Sequence, residues 1–343
     1  MNPFIPVGCL TGDQVRSAIT AATLAPSLHN SQPWRFRCTP ISIELHADLS
    51  RELPAADPDR REMLLACGAA LLNLRLAIRT CGVDTDVRII PDPRDPTLLA
   101  SILPGGHISA TSADRKLCAA ISLRDTDRRP FLNEPVPEEL RNSLRQATRV
   151  EQAWLATVSP AQQSQLRDLL ALAHRSQQDN APFMAEWARW TGREGHSVDG
   201  VLADSAGPSP EQQDMWVLRD FSAGTARTRL AGKDFESDPL IAVIGSFNDL
   251  PLAQLQAGQA MQRMLLTATA AGLSASFLSQ VIEVPEARRQ LRVLIGGALW
   301  PQAVLRLGYS TPISATARRS PAEVVGSGTV AGRTDHGLTK TSA

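Results

Sequence analysis

The sequence has no excess of either charge: 35 basic and 35 acidic side chains cancel over 343 residues. A neutral chain lacks the electrostatic footprint of nonspecific binding to nucleic acid or anionic membranes. No uninterrupted apolar run approaches the roughly 20 residues that span a bilayer. The opening MNPFIPVGCLTGDQ has neither a basic n-region nor a long apolar core, so a signal peptide is not expected. Cysteine is sparse and odd in number, with five residues (Cys9, Cys38, Cys67, Cys81, Cys118) at unrelated spacings. That excludes both a disulfide framework and a metal-ligand pattern. There is no Walker motif, no HExxH and no Ser-centred elbow. LIGGALW and GSGTV lack the spacing and the strand–turn–helix setting of a dinucleotide fingerprint. A soluble cytoplasmic protein with reduced thiols is expected.

What is present is a chain that is 43% hydrophobic, enough for one large core or two small ones. TGDQVRSAITAATLA (11–25) has helical apolar spacing behind a Thr11 or Asp13 cap. RFRCT and ISIELHAD read as a strand pair. DPDRREMLLACGAALLNLRLAIRTCG (57–82) reads as a helix apolar around most of its circumference, hence buried, ending at Gly82. VDTDVRIIP follows as a strand, and the first unit closes near Ile108. The second unit opens at ISLRDTDRRPF and runs through a helix, PEELRNSLRQA, the strand AWLATVS and a further helix, PAQQSQLRDLLALAHRSQQ. A Trp-rich patch, EWARW, leads into a Gly- and Pro-containing stretch of little periodicity (191–234), the kind that is functional or disordered. The strand LIAVIGSF, the helix PLAQLQAGQAMQRMLLTATAAGLSA and the strands FLSQV and AVLRLGY complete the core. The last twenty or so residues read as a loose tail. Helix, strand, long apolar helix ending in Gly (CGV, then AGL) and strand recur in both units.

The most specific stretch is APSLHNSQPWRF (25–36). Pro26 and Pro33 stiffen the backbone and remove donors, so the remaining polar groups stand in an extended array. Such an array suits the hydrogen-bonding rim of a planar, heteroatom-rich ring; an ordinary helix end and strand start is the plainer reading.

PSLHNSQPW resembles the flavin-contacting loop of the nitroreductase superfamily, and the chain along nearly its whole length resembles the Acg subfamily. The resemblance implies an α+β nitroreductase-like fold in which two related halves mimic a homodimer: 1–117, carrying the ring loop, and 118–330, carrying phosphate-binding arginines. A lid insertion at about 191–234 and a flexible tail at 331–343 go with it. LRDTDRRPF resembles the family's Arg-x-Ser-x-Arg/Lys motif, which places Arg124 and Thr126 on the phosphate and Arg128 toward the pyrimidine edge. TARRSP resembles the basic segment that returns to the phosphate, making Arg318 and Arg319 candidates. Ser27, Asn30 and Gln32 would line the ring, with Trp34 closing the loop, although packing is its plainer role. Ser279 and Gln280 match the segment whose main-chain N–H lies by N5. His29 is either a proton donor or a structural hydrogen-bonder. Relatives place Asn and Lys where this chain has APFMAEWARW; Glu186 or Arg189 could substitute, or nothing does. The parts suffice for one FMN per chain, in a monomer that mimics a dimer.

The resemblance leaves two main functional readings. One is an FMN-dependent oxidoreductase passing electrons from NAD(P)H to a small acceptor such as a nitro compound or quinone. The other is a flavin-sequestering, storage or redox-sensing protein whose lid blocks the ring. A flavin-free scaffold is a third reading.

Overall fold

A computed structural model describes residues 3–193, 197–211, 214, 216, 219–224, 239–311 and 316–326. The expected tail (331–343) and much of the 191–234 stretch lie outside the described residues.

Two four-stranded antiparallel sheets share the fold with ten helices among the described residues. The first half runs α1 (Gly12–Thr23), β1 (Trp34–Cys38), β2 (Ile43–Ala47), α2 (Arg61–Thr80), β3 (Val83–Ile89) and β4 (Leu98–His107). Its sheet has the order β1-β2-β4-β3. α3 (Ser112–Ala120) bridges to α4 (Glu138–Val150) and β5 (Trp154–Thr157). Then come α5 (Pro160–Gln178), α6 (Ala181–Trp190), β6 (Leu240–Ser246), α7 (Pro251–Ala270), β7 (Leu273–Phe277), α8 (Gln280–Glu283), α9 (Pro285–Leu294) and β8 (Trp300–Tyr309). The second sheet has the order β5-β6-β8-β7, the same succession as the first. α10 (Pro321–Val324) ends the described chain, and Gly326 N–H donates to Phe36 O at 2.9 Å, tying it to β1.

α1 starts where the sequence puts its cap: Thr11 and Gln14 form a reciprocal capping box. α2 starts four residues later than its acidic lead suggests. The Asp57 carboxylate reaches forward to accept from Glu62 and Met63 N–H, at 3.0 and 2.9 Å, so it caps the helix from outside it. α2 and α7 end alike, with Gly82 at φ 81° and Gly272 at φ 82° turning each chain directly into a strand.

The two long helices cross at the centre, and one continuous core joins Leu45, Leu71, Met264 and Leu305 from both halves. α2 is long and apolar enough to cross a membrane by composition, and 78% of that stretch is buried inside the molecule. Polar links cross the same seam. Gln262 Nε2 donates to Asn73 Oδ1 at 2.9 Å, and Arg75 and Arg263 both donate to the buried Glu151 carboxylate.

Several expectations shift. The FLSQV strand is displaced: β7 ends at Phe277, and Gln280 already opens α8. The EWARW patch is the end of α6. β4, α3 and α9 go unanticipated. All five cysteines are free thiols, and Cys67 is wholly buried.

Candidate functional site

Both halves wall one cavity of about 850 Å³, counting the part open to solvent. Pro26 to Asn30 and the first turns of α2 (Glu62, Leu65, Ala66) come from the first half. Thr126, Arg128, Met261, Ser276, Phe277, Ser279, Thr316 and Arg318 come from the second. Gly200, Val201, Ser205, Arg219 and Phe221, from the 191–234 stretch, close over it.

The loop between α1 and β1 presents its groups through an unusual backbone. His29, Asn30 and Gln32 all have left-handed φ values, of 50°, 54° and 52°. Three such residues in four positions carry strain that the surroundings must hold in place. Ser27 Oγ does part of this, accepting from Gln32 N–H at 2.9 Å. Asn30 Nδ2 donates to Gly200 O and Ala317 O, both at 3.2 Å, while its buried Oδ1 has no partner among the described residues. Gln32 lies outside the cavity lining and works as a bracket. Its Nε2 donates to Val198 O at 2.7 Å, and its Oε1 accepts from Arg319 N–H at 2.8 Å. Trp34 is fully buried in the core behind the loop.

One end of the cavity is cationic. Thr126 pairs alongside Ala275 of β7, and Asp127 N–H donates to Ala275 O at 3.0 Å, which lays the Arg124–Arg128 segment beside the cavity. Arg124 is buried; one Nη donates to Leu24 O at 3.3 Å, while Nε and the other Nη have no partner among the described residues. Arg318 donates to Thr316 O and Ala317 O, and its Nε is sealed from solvent without a partner among the described residues. Burial, then the neighbouring Arg124 charge, pushes the Arg318 guanidinium down to about 9. Burial pushes Arg128 down to about 10, with the Arg306 charge adding to it. Asp125 faces this group, and its Oδ1 accepts from Thr316 N–H and Oγ–H. Unpaired guanidinium donors sealed beside like charges are costly until an anion meets them. Arg319 turns away, donating to Gln32 O at 3.3 Å and lying 3.7 Å from Asp48. Ser279 lines the cavity; Gln280 lines a smaller adjoining one with Arg128 and Phe221.

Neither Glu186 nor Arg189 reaches the cavity lining. The Glu186 carboxylate accepts from Ala55 and Ala56 N–H, and Arg189 is exposed on α6. The cation on that side is Arg219, paired with Glu283 at 2.5 Å and set 5.1 Å from the Trp187 ring. Phe221 packs on Trp187 at 4.7 Å, and Arg128 sits 4.5 Å over the Phe221 ring. His29 stands edge-on to Trp187 at 5.0 Å. Burial lowers His29 to about 4, with Arg219 and Arg128 adding to this and Glu283 opposing it, so its imidazole is neutral near pH 7. Arg219 and Phe221 come from a stretch without periodicity, so no spacing pointed to them. Glu62 sits in the first turn of α2, where a carboxylate reads as an ordinary match to the helix dipole.

The nitroreductase family model matches residues 121–309. Two Mycobacterium tuberculosis proteins carry the name "Putative NAD(P)H nitroreductase". One is 34% identical over 339 residues, covering 95% of this chain and 93% of its own length. The other, acg, is 32% identical over 326 residues, covering 93% of this chain and 97% of its own. Among solved structures, a nitroreductase with bound FMN from Desulfitobacterium hafniense is 11% identical with a TM-score of 0.39, over 61% of this chain and 96% of that one. The FMN-dependent nitroreductase NfnB from Mycobacterium smegmatis, in complex with NADPH, is 16% identical with a TM-score of 0.35, over 57% and 88%. Those structural likenesses are too slight to add to what the sequences give. With a family model across the second half and relatives a third identical along nearly the whole chain, this protein belongs to the nitroreductase family.

Proposed function

We propose that the cavity holds one FMN between the halves and that the protein is an NAD(P)H-dependent oxidoreductase for small acceptors such as nitro compounds or quinones. The observation that carries this reading is the sealed Nε of Arg318 on the lining of a cavity built by both halves, with the sealed donors of Arg124 beside it and, among the described residues, no partner for either. A phosphate there would meet two guanidinium groups, with Thr126 beside them. Next to Arg318, with which its amide shares the Ala317 carbonyl, the orphaned Oδ1 of Asn30 offers an acceptor to a ring N–H, and Ser27 and Ser279 stand on the same lining. When bound, the flavin would supply the two-electron chemistry, and the protein would position and shield it. The names of the relatives, NAD(P)H nitroreductases, support this reading.

The repeated strand order, the matched helix ends and the reciprocal crossing of α2 and α7 support reading the chain as a fused two-subunit unit that acts as a monomer. The arginines come from one half and the ring loop from the other, so one complete site is formed.

A second reading, flavin sequestration or redox sensing, has its own support. The cover over the cavity is fastened at several points. Arg51 pairs with Asp199 at 2.6 Å, Arg219 with Glu283 at 2.5 Å, and Arg128 donates to Ser205 O at 2.8 Å. Asn30 and Gln32 hold Gly200 and Val198 from below. A cover fixed in this way would keep nicotinamide off the ring. Anaerobic stopped-flow mixing of FMN-loaded protein with NADPH and with NADH separates the two. Flavin bleaching within seconds supports the oxidoreductase. A yellow protein bleached by dithionite but by neither nicotinamide supports sequestration.

A further inference from the structure

The cavity has a second chemical pole, opposite in character to the arginine end. Glu62 lines it from the first turn of α2, with a side chain that is 12% exposed. Its Oε1 accepts from Arg61 Nη2 at 2.6 Å. Its Oε2 has no hydrogen-bond partner among the described residues and is not sealed off, as the orphaned atoms of the site are. Arg61 is itself committed elsewhere, donating to the buried Gln302 main-chain O at 2.6 Å. Such a carboxyl can accept on Oε1 and still carry a proton on Oε2.

We propose that Glu62 is the proton donor to the acceptor: a neutral carboxylic acid that delivers its Oε2 proton to the acceptor oxygen as the acceptor is reduced. This rests on the oxidoreductase reading of the same cavity. The bookkeeping closes with one reductant. A quinone acceptor takes a hydride, an electron pair with its proton, from the reduced cofactor, which leaves negative charge on an oxygen; a nitro acceptor does the same and expels water after it is protonated. The Glu62 O–H bond then breaks, an O–H bond forms on that oxygen, and Glu62 remains as a carboxylate stabilised by Arg61. Solvent reprotonates it when product leaves.

The surroundings weaken the hold of Arg61 on the ionised form. Burial is the largest influence and raises the Glu62 carboxyl, Arg61 lowers it, and the charges of Asp57 and Glu283 raise it again, for a net upward shift. Asp57, whose carboxyl burial also raises, has both oxygens accepting main-chain N–H groups of α2 and does not line the cavity. Glu283 is held ionised by Arg219. His29, the remaining titratable group on that side, is driven neutral and holds no proton to give near pH 7. Glu62 is therefore the group in the lining placed to carry an acidic proton.

The test has two arms. Infrared difference spectroscopy of the cofactor-free protein near pH 7 reads the C=O stretch of a protonated carboxyl. The band is expected in the wild type and absent in Glu62→Gln; a wild type without it overturns the proposal. The second arm reduces the FMN-loaded protein with dithionite and mixes it with benzoquinone, which needs protons, or ferricyanide, which does not. The ratio of the two oxidation rates is expected to fall about 100-fold in E62Q, the scale of a lost general acid. Glu62→Asp, which keeps a titratable proton, is expected to recover part of that ratio. A ratio unchanged in E62Q overturns the proposal. Failure of the protein to bind FMN overturns the oxidoreductase reading instead, while the carboxyl band still tests the Glu62 proton.

Discussion

Gly68 on α2 and Gly258 on α7 stand against each other where the two central helices cross. A Cβ built on either would lie 3.0 Å from the other's Cα. Each would also press into a carbonyl of the opposite helix, Leu255 O for Gly68 and Leu65 O for Gly258. Those leucines sit three residues before the glycines, so the contact is reciprocal, as at a two-fold axis between subunits.

Because backbone rather than a flexible side chain fills that space, the helices must separate to admit a methyl group. Gly68→Ala and Gly258→Ala are each expected to destabilise by about 3 kcal/mol, the upper part of the range for overpacking. The double variant is expected to cost less than the sum, since one separation of the helices admits both methyl groups. Urea unfolding of the three variants measures this; a neutral single variant contradicts the reciprocal packing.

Arg318 gives a prediction with opposite signs for two quantities. Its charge sits against Arg124 and Arg128 with a sealed Nε, so Arg318→Met removes a repulsion from the cofactor-free protein. Unfolding free energy without FMN is expected to stay the same or rise. FMN affinity is expected to fall roughly 10- to 150-fold, the worth of about 1.5–3 kcal/mol for a hydrogen bond to a charged group. Loss of both quantities together would make Arg318 a structural residue.

His29 carries a pH signature. Its folded value of about 4 lies below that of an exposed imidazole. Below about pH 6.5 the unfolded chain therefore binds the proton more tightly than the folded one. Stability is complete above that pH, declines as pH falls toward 4, and levels off there. The full difference is on the order of 3 kcal/mol. His29→Asn, which tolerates the left-handed backbone, is expected to flatten this part of the stability–pH curve. An unchanged slope would assign the pH dependence elsewhere.

The recurrence of the halves was legible because its punctuation is local: CGV and AGL each mark a helix end, and Gly82 and Gly272 hold the same left-handed turn. β4 was hidden because Pro104, Gly105 and Gly106 interrupt its strand pattern, whereas the register of β3 along β4 is a tertiary fact. Ser27, Asn30, Thr126, Arg128, Ser279 and Arg318 were named from motifs, and the fold brings all six to one cavity. Gln32, Trp34, Arg124, Gln280 and Arg319 stand behind or beside it, where packing and main-chain bonds decide their partners. Arg219 and Glu62 reach it through long-range folding that no short pattern encodes.

A single cofactor at the junction of the halves is tested most directly by titrating cofactor-free protein with FMN and following the quenching of flavin fluorescence. One FMN per chain is expected, with binding weakened both by Arg318→Met from the second half and by Asn30→Ala from the first. Two FMN per chain, or binding indifferent to either substitution, would contradict a site built by both halves.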